Sequence, residues 1–219
     1  MTSTTGRPRA SGESLTGRGT REDILAASAA LFCNEGYGST STHAIAQAAG
    51  IRQASLYHHF AGKHEILLDL LLSTVQPSLD AATEILSRHE PAATRLWALA
   101  DMDADLLLGG ELNLGALYLL PELYDPRFAV FHERRAQLDS AYERLVAACD
   151  VPDAEAATWL VLALVESVIV RRRRSPAAVT PADAPAVATA ALRLLELDRA
   201  QIEAAAAAGP ALVATLTAP

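Results

Sequence analysis

Apolar residues in the N-terminal third of the chain recur every three or four positions, the spacing of an amphipathic α-helix. The first run contains Ile24 and Phe32 and opens at Thr20, whose hydroxyl suits a helix N-cap, with Asp23 three residues further on. Gly36 is typical of the residue that ends a helix. The pattern therefore predicts a first helix between Thr20 and Gly36.

Two shorter helices are predicted to follow. The second covers about residues 41–49 with Thr40 as its cap, and the third covers about residues 53–59. Gly50 permits a tight turn between them. Three helices within about 40 residues, the last two joined by a tight turn, are typical of a helix-turn-helix.

Longer helical patterns fill the rest of the chain, and no segment shows the alternation of a strand. Helices are predicted at residues 64–88 with Pro77 inside, 91–108, 112–120, 126–149, 153–172 and 181–197. Whether the last one continues into the alanine tract that ends at Gly209 is left open. The fold class is therefore all-α, with about nine to ten helices.

The chain is expected to have three parts. Residues 1–19 are rich in Thr, Ser, Gly and Arg and have almost no apolar side chains to bury, which predicts a disordered arm. Residues 20–65 form the helix-turn-helix domain, and residues 66–219 form a second helical domain.

The distribution of charge changes the interpretation of an acidic composition. The net charge of −8 argues against a nucleic-acid partner, since phosphate repels acidic surfaces. Residues 1–65, however, hold six basic and five acidic residues, a net charge of +1, and the remainder carries −9. The helix-turn-helix part is therefore free to approach nucleic acid.

Several motifs that would indicate a membrane, secreted, metal-binding or catalytic protein are missing from the sequence. No apolar run reaches the length needed to span a bilayer, and the polar N-terminus has no secretory pattern. Cys33 and Cys149 are isolated and give neither a disulfide framework nor a zinc spacing. A cytoplasmic protein without a cofactor or metal is expected. No catalytic serine motif, zinc-protease motif or phosphate loop is present, which disfavours an enzyme.

A dense set of motif residues lies between the first helix and the start of the fourth. It consists of Gly36-Tyr37, Thr40-Ser41, Ile45-Ala46, Ala49-Gly50-Ile51, Leu56-Tyr57, His59-Phe60 and Lys63. At this spacing the motif closely resembles the DNA-binding domain of TetR-family regulators. The resemblance covers about residues 21–68 in detail, and beyond them only the succession of long helices agrees.

The resemblance implies DNA contacts for individual residues. Thr42 and Tyr57 would touch phosphates, His43, Gln53, Ser55 and His58 would lie near base edges, and His59 and Lys63 would bind the DNA backbone. The helical period independently turns Leu56 and Phe60 inward, leaving the polar side chains of the third helix facing outward. Arg52 departs from the family, which usually has a Ser or Thr cap here, and we expect it to contact phosphate or guanine.

The resemblance also implies a ligand-responsive transcriptional repressor that binds a palindromic operator as a homodimer. The predicted dimer surface comprises Trp159, Leu162, Ala163, Val165, Glu166 and Ile169 on one helix and Val187, Ala191, Leu192, Leu194 and Leu195 on another. An activator and a redox sensor using Cys33 or Cys149 are alternatives within the same class. A helical enzyme or an adaptor protein is a more remote one.

The middle helices, about residues 64–150, are expected to enclose the effector site. The candidate lining residues are Trp97, Met102, Asn113, Tyr118, Tyr124, Phe128, Phe131, His132 and Arg135. Their apolar and aromatic character predicts a hydrophobic or aromatic small molecule. The acidic balance of the second domain leaves a cationic one open. Arg171 to Arg174 resemble a nucleic-acid patch, but four arginines also suit the solvated end of an apolar helix.

Overall fold

A computed structural model of the chain describes residues 15–217. Within this range the chain forms nine α-helices and no strand, which confirms the predicted all-α fold. The contacts divide the chain into two units, Met1–Leu71 and Leu72–Pro219. Most of the predicted N-terminal arm lies outside the described residues. Within residues 15–217, no helix is both long enough and apolar enough to cross a membrane.

The first unit contains three helices and the start of a fourth. These are α1 (Thr20–Asn34), α2 (Thr42–Ala48), α3 (Gln53–Leu56) and the first residues of α4 (Lys63–Ser87). Ile24, Phe32, Ile45, Leu56 and Phe60 are buried and form its core. The inward positions predicted from the helical period are therefore the inward positions of the folded chain.

The caps of the first two helices differ from those expected. Thr20 lies inside α1 and Gly19 precedes it without a side-chain cap. Asp23 is fully buried, and its Oδ1 accepts hydrogen bonds from the backbone N–H and hydroxyl of Thr16, at 2.7 and 2.8 Å. For α2 the cap is Ser41, which accepts a hydrogen bond from the N–H of Ala44, and not the buried Thr40.

The second unit is built around one central helix. It contains the rest of α4, then α5 (Ala92–Leu108), α6 (Ala129–Ala147), α7 (Ala154–Arg174), α8 (Asp183–Leu194) and α9 (Arg199–Leu216). Short 3₁₀ helices at Leu114–Leu119, Pro121–Tyr124 and Pro126–Phe128 join α5 to α6, and one at Pro176–Ala178 follows α7. The central helix is α5, which packs against α6, α7, α8 and α9.

The end of the chain forms two helices where one was predicted. The break lies at Glu196, whose φ of 57° is incompatible with a continuing α-helix. Asp198 then opens α9 with a capping box, accepting from the N–H of Gln201 at 2.8 Å while the Gln201 side chain accepts from the N–H of Asp198 at 3.1 Å. Nor does the helix end at Gly209, because α9 continues to Leu216.

The arginine run at the end of α7 is not uniformly solvated. Arg172 is buried and its guanidinium donates hydrogen bonds to the carbonyls of Leu107, Gly109 and Gly110, at the C-terminus of α5. Arg171 pairs with Asp183 at 2.9 Å. Arg172 thus joins α7 to α5, because its buried cation binds carbonyls at a helix C-terminus that have no partner within the helix. Arg171 joins α7 to α8 through its ion pair with Asp183.

Candidate functional site

The polar face of α3 and of the turn after it is exposed. Arg52, Tyr57, His58 and His59 are exposed, with half of the Tyr57 side chain accessible to solvent, whereas Leu56 is fully buried. Gln53 and Ser55 are half-buried at the edges of this face. The short helix thus offers hydrogen-bonding groups outward while its apolar side anchors it.

Hydrogen bonds position the polar side chains of α2 and α3. The Thr42 hydroxyl lies 3.0 Å from the Tyr57 hydroxyl and accepts a hydrogen bond from the Gln53 amide at 3.1 Å. Thr42 belongs to the first turn of α2, which Ser41 caps. The exposed His43 follows it. Residues 42, 53 and 57 therefore form one ordered polar cluster across the two helices.

Lys63, at the start of α4, is bound to the loop between α1 and α2. Its ammonium donates to the carbonyls of Tyr37 at 2.7 Å and Thr40 at 3.0 Å, and it lies 4.3 Å from the centre of the Tyr37 ring. The geometry gives this lysine a positioning role that the sequence did not reveal. Its predicted contact with the DNA backbone remains a prediction.

A second candidate site is a pocket in the second unit, called here the α6 pocket. Its volume is about 630 Å³, within the range of small-molecule sites. The residues that give it its chemistry are Tyr118, Tyr124, Phe131, His132, Arg135, Asp139 and Glu166. Five of the nine residues predicted to line an effector site, the first five of this list, therefore lie around one pocket.

The other four predicted lining residues do not line the α6 pocket. Trp97 is in the core, where its indole N–H donates to the Thr189 hydroxyl at 3.0 Å, and Phe128 is also buried. Asn113 donates to the carbonyl of Ile169 at 2.9 Å. Met102 lies at a different pocket, between α4, α5 and α9.

Arg135 is the centre of the charge in the α6 pocket. Its guanidinium donates to the carboxylate of Glu166, lies 3.9 Å from Asp139 and stacks over the ring of Tyr118, 5.2 Å from its centre. The sequence pattern had assigned Glu166 to a dimer surface and had not marked Asp139. Asp139 lies four positions after Arg135 on α6, and this i, i+4 spacing could have indicated their ion pair from the sequence.

A buried polar network lies between α4, α5 and α6. The Tyr118 hydroxyl is 2.7 Å from the Thr74 hydroxyl on α4. Ser78, also on α4, donates to Asp103 at 2.8 Å, and Tyr142 donates to the same carboxylate at 3.1 Å. Burial raises the pKa of Asp103 and raises the pKa of Tyr118 to about 12, so that their neutral forms are favoured.

Much of the predicted dimer surface is buried within one chain. Val165, Ile169, Ala191, Leu192 and Leu195 all belong to the core of the second unit and are therefore not available to a partner. The helical period alone does not distinguish a helix that has one apolar face from a helix that has two, which is why these positions were misassigned.

Exposed apolar residues form a stripe on α7, and this stripe includes Trp159 and Ala163 of the predicted dimer surface. It contains Trp159, Leu160, Ala163 and Val170, and Trp159 is 68% exposed. Helical spacing places residues 159, 163 and 170 along one side of the helix.

Comparison with known proteins identifies the family. Residues 24–70 match the model of the bacterial regulatory proteins of the tetR family. The crystal structure of AmtR from Mycobacterium smegmatis is 48% identical, with a TM-score of 0.77, and the match covers 94% of this chain and 98% of that one. The chain belongs to the tetR family. It is therefore a transcriptional regulator.

Other known proteins match this chain over a shorter stretch or at lower identity. The transcriptional repressor KstR2 of Mycolicibacterium smegmatis is 36% identical over 75 residues, which is 31% of this chain and 37% of that protein. The match thus spans little more than a third of that curated relative. FadR from Bacillus subtilis, solved in complex with stearoyl-CoA, has a TM-score of 0.64 at 18% identity over 80% of this chain and 96% of its own, and shows the fold alone.

Metal binding and thiol chemistry find little support in the described residues. Between residues 15 and 217, no three His, Cys, Asp or Glu side chains are arranged to bind a metal ion. Burial raises the pKa of the Cys149 thiol, although the charge of Arg95 opposes the shift. A raised pKa lowers the thiolate fraction, which disfavours the redox-sensing alternative at this residue.

Proposed function

We propose that the chain is a homodimeric repressor that acts in the cytoplasm, binds a palindromic DNA operator and is released from it by a small-molecule effector. The observation that carries the proposal is the exposed polar face of α3, in a chain that belongs to a family of regulators. A short helix anchored on one side and polar on the other fits a major groove.

The predicted DNA contacts agree with the exposure of the side chains. Arg52, His58 and His59 are exposed, and the Tyr57 hydroxyl is oriented by its contact with Thr42. Flat rings and short hydroxyl groups of this kind reach phosphates and base edges without a change of backbone. Lys63 supports the same surface by fixing the loop that leads into α2.

A dimer follows from the small size of this surface. One short helix reads few base pairs, whereas two copies related by a twofold axis reach successive major grooves about 34 to 36 Å apart. The exposed stripe of α7 supplies the apolar surface for such an interface, with Trp159 at its most exposed point.

Tyr118 offers a route from the effector to the DNA-binding part. Its ring lies against Arg135 in the α6 pocket and its hydroxyl contacts Thr74 of α4, the helix that begins at Lys63. An effector that displaces Tyr118 breaks this contact and shifts α4. A coupling free energy of about 1 to 3 kcal/mol changes operator affinity by about 5- to 150-fold.

The proposal is tested by DNA binding of the purified chain. It is expected to shift duplex fragments taken from the intergenic DNA beside its own gene. Arg52→Ser should weaken operator binding by about tenfold, because a contact with phosphate or guanine is lost. A phosphate contact lowers affinity for all sequences and reduces the salt dependence, whereas a guanine contact lowers only the affinity for the operator.

Arg199→Ser is the matched control, since Arg199 is an exposed arginine in the second unit whose ion pair, in the described part of the chain, is with its helical neighbour Glu203. It should leave operator affinity unchanged. Failure of the unaltered chain to bind any duplex at low salt would refute the proposal, and unchanged affinity of Arg52→Ser would refute the assigned contact.

A further inference from the structure

The charge of the α6 pocket limits the chemistry of the effector, an inference that rests on the proposed function. Arg135 is the pocket's arginine, and two carboxylates already share its positive charge. Glu166 accepts a hydrogen bond from its guanidinium, and Asp139 lies 3.9 Å away. The three groups together leave one excess negative charge facing the pocket.

Asp139 holds the excess charge. Its side chain is 45% exposed, and the 3.9 Å separation from Arg135 is too long for a hydrogen bond. In the described part of the chain, its Oδ1 accepts no hydrogen bond. Partial burial raises the pKa of Asp139 although Arg135 opposes this, so the surroundings do not fully compensate the carboxylate. An additional cation would stabilise it.

The walls of the pocket suit the same kind of ligand. The rings of Tyr118 and Phe131 lie 5.4 Å apart in a tilted arrangement, and Tyr124 is 93% exposed at the edge of the pocket. Aromatic faces attract organic cations through the negative charge above the ring, and they also pack against an apolar body. His132 is held beside them by a 2.8 Å contact between its Nε2 and the carbonyl of Leu123.

We propose that the α6 pocket binds an organic cation, an amine with an aromatic or aliphatic body whose ammonium group pairs with Asp139. The effector then differs in charge from the stearoyl-CoA bound by FadR from Bacillus subtilis. A coenzyme A thioester carries several phosphates, and these require cations that are not already paired. Arg135, the one arginine that lines the α6 pocket among residues 15–217, is bound to Glu166.

Calorimetry on the full chain with four probes tests the inference. The probes are 2-phenylethylamine, the neutral 2-phenylethanol, the anionic 3-phenylpropanoate and stearoyl-CoA. The amine is expected to bind at least about tenfold more tightly than the other three, since only the amine forms an ion pair with the carboxylate.

Three variants locate the amine. Asp139→Asn should weaken binding of the amine by about tenfold and leave the alcohol unaffected. Glu133 is an exposed carboxylate on the same helix that does not line the pocket, so Glu133→Gln should change the affinity of neither the amine nor the alcohol. Glu166→Gln frees Arg135 and should shift the preference toward 3-phenylpropanoate. Melting curves of the three variants establish that each is folded.

Three results would overturn the inference. They are tighter binding of 3-phenylpropanoate or stearoyl-CoA than of the amine, equal affinity of Asp139→Asn and Glu133→Gln for the amine, and absence of binding by all probes. DNA binding of the chain without effector is measured in the same series. If the duplex is bound and the amine is not, only the effector class is wrong, whereas loss of both refutes the proposed function.

Discussion

Asp101 is a residue whose charge works against the stability of the second unit. It lies on α5, partly buried, four residues before Asp105. Burial and then the charge of Asp105 raise the pKa of Asp101 from 3.8 to about 6. Between about pH 4 and pH 6 the folded chain therefore keeps a proton that the unfolded chain has released. Stability decreases as pH rises through this window and stays lower above it.

Asp101→Asn is accordingly expected to raise the free energy of unfolding at pH 7 by about 1 kcal/mol, less than the full pKa shift implies because the side chain is partly solvated. At pH 4 the gain should vanish, since the native carboxyl is then already neutral. Urea unfolding at both pH values measures the difference, with the exposed Glu143→Gln as control. An equal gain at pH 4 and pH 7 would contradict the assignment.

The functional side chains of the first unit were easier to predict from the sequence than the contacts of the second unit. The exposed face with Arg52 and His58 follows from the helical period, since Leu56 must point inward. The ion pair of Arg135 with Glu166 joins residues 31 positions apart on different helices, and no local pattern contains it. Lys63 likewise binds carbonyls more than 20 positions earlier in the chain.

At the scale of elements, the packing of α9 on α5 depends on one glycine. A Cβ placed on Gly209 would lie 2.1 Å from the ring of Trp97, far inside van der Waals contact. The Trp97 ring cannot easily move away, because it is buried and its indole N–H binds Thr189. The two helices therefore approach each other only where a side chain is absent.

Gly209→Ala is expected to lower the free energy of unfolding by about 1 to 3 kcal/mol. Helix propensity favours alanine by about 1 kcal/mol, but the overlap with a held indole ring outweighs it. Denaturant unfolding followed by circular dichroism gives the value. The exposed Ala208→Ser, one residue earlier in α9, should cost about 0.5 kcal/mol or less. A stabilised Gly209→Ala would show that α9 packs differently.

The limits of element prediction are visible in the same region. The Ala- and Leu-rich run predicted one helix through residue 197, because after Pro185 it contains neither Gly nor Pro. The break is set by the capping box of Asp198 and Gln201, which has an acidic and an amide residue at the right spacing and could have been recognised. The continuation of α9 through Gly209 and Pro210 could not have been predicted, because both residues have low helix propensity and packing on Trp97 overrides it.

At the scale of the whole molecule, the acidic total charge and the proposed partner are compatible because the charge is unevenly distributed. Residues 1–65 carry +1 and the remaining residues −9, so the repulsion of phosphate belongs to the second part of the sequence. A single first unit, however, offers only one short α3. The proposed binding to an operator therefore depends on the second unit to bring two copies together.

Trp159→Glu tests this requirement, because a charge at the most exposed apolar position of the α7 stripe would be buried unpaired in a symmetric interface, twice per dimer. Sedimentation should show a dimer for the unaltered chain and a monomer for Trp159→Glu. The operator affinity of Trp159→Glu should fall by a factor of about 100 or more, because two monomers bind the half-sites independently. Val130→Glu places the same charge on an exposed apolar residue of α6 and should remain dimeric. A dimeric Trp159→Glu with full operator affinity would show that another surface joins the two copies.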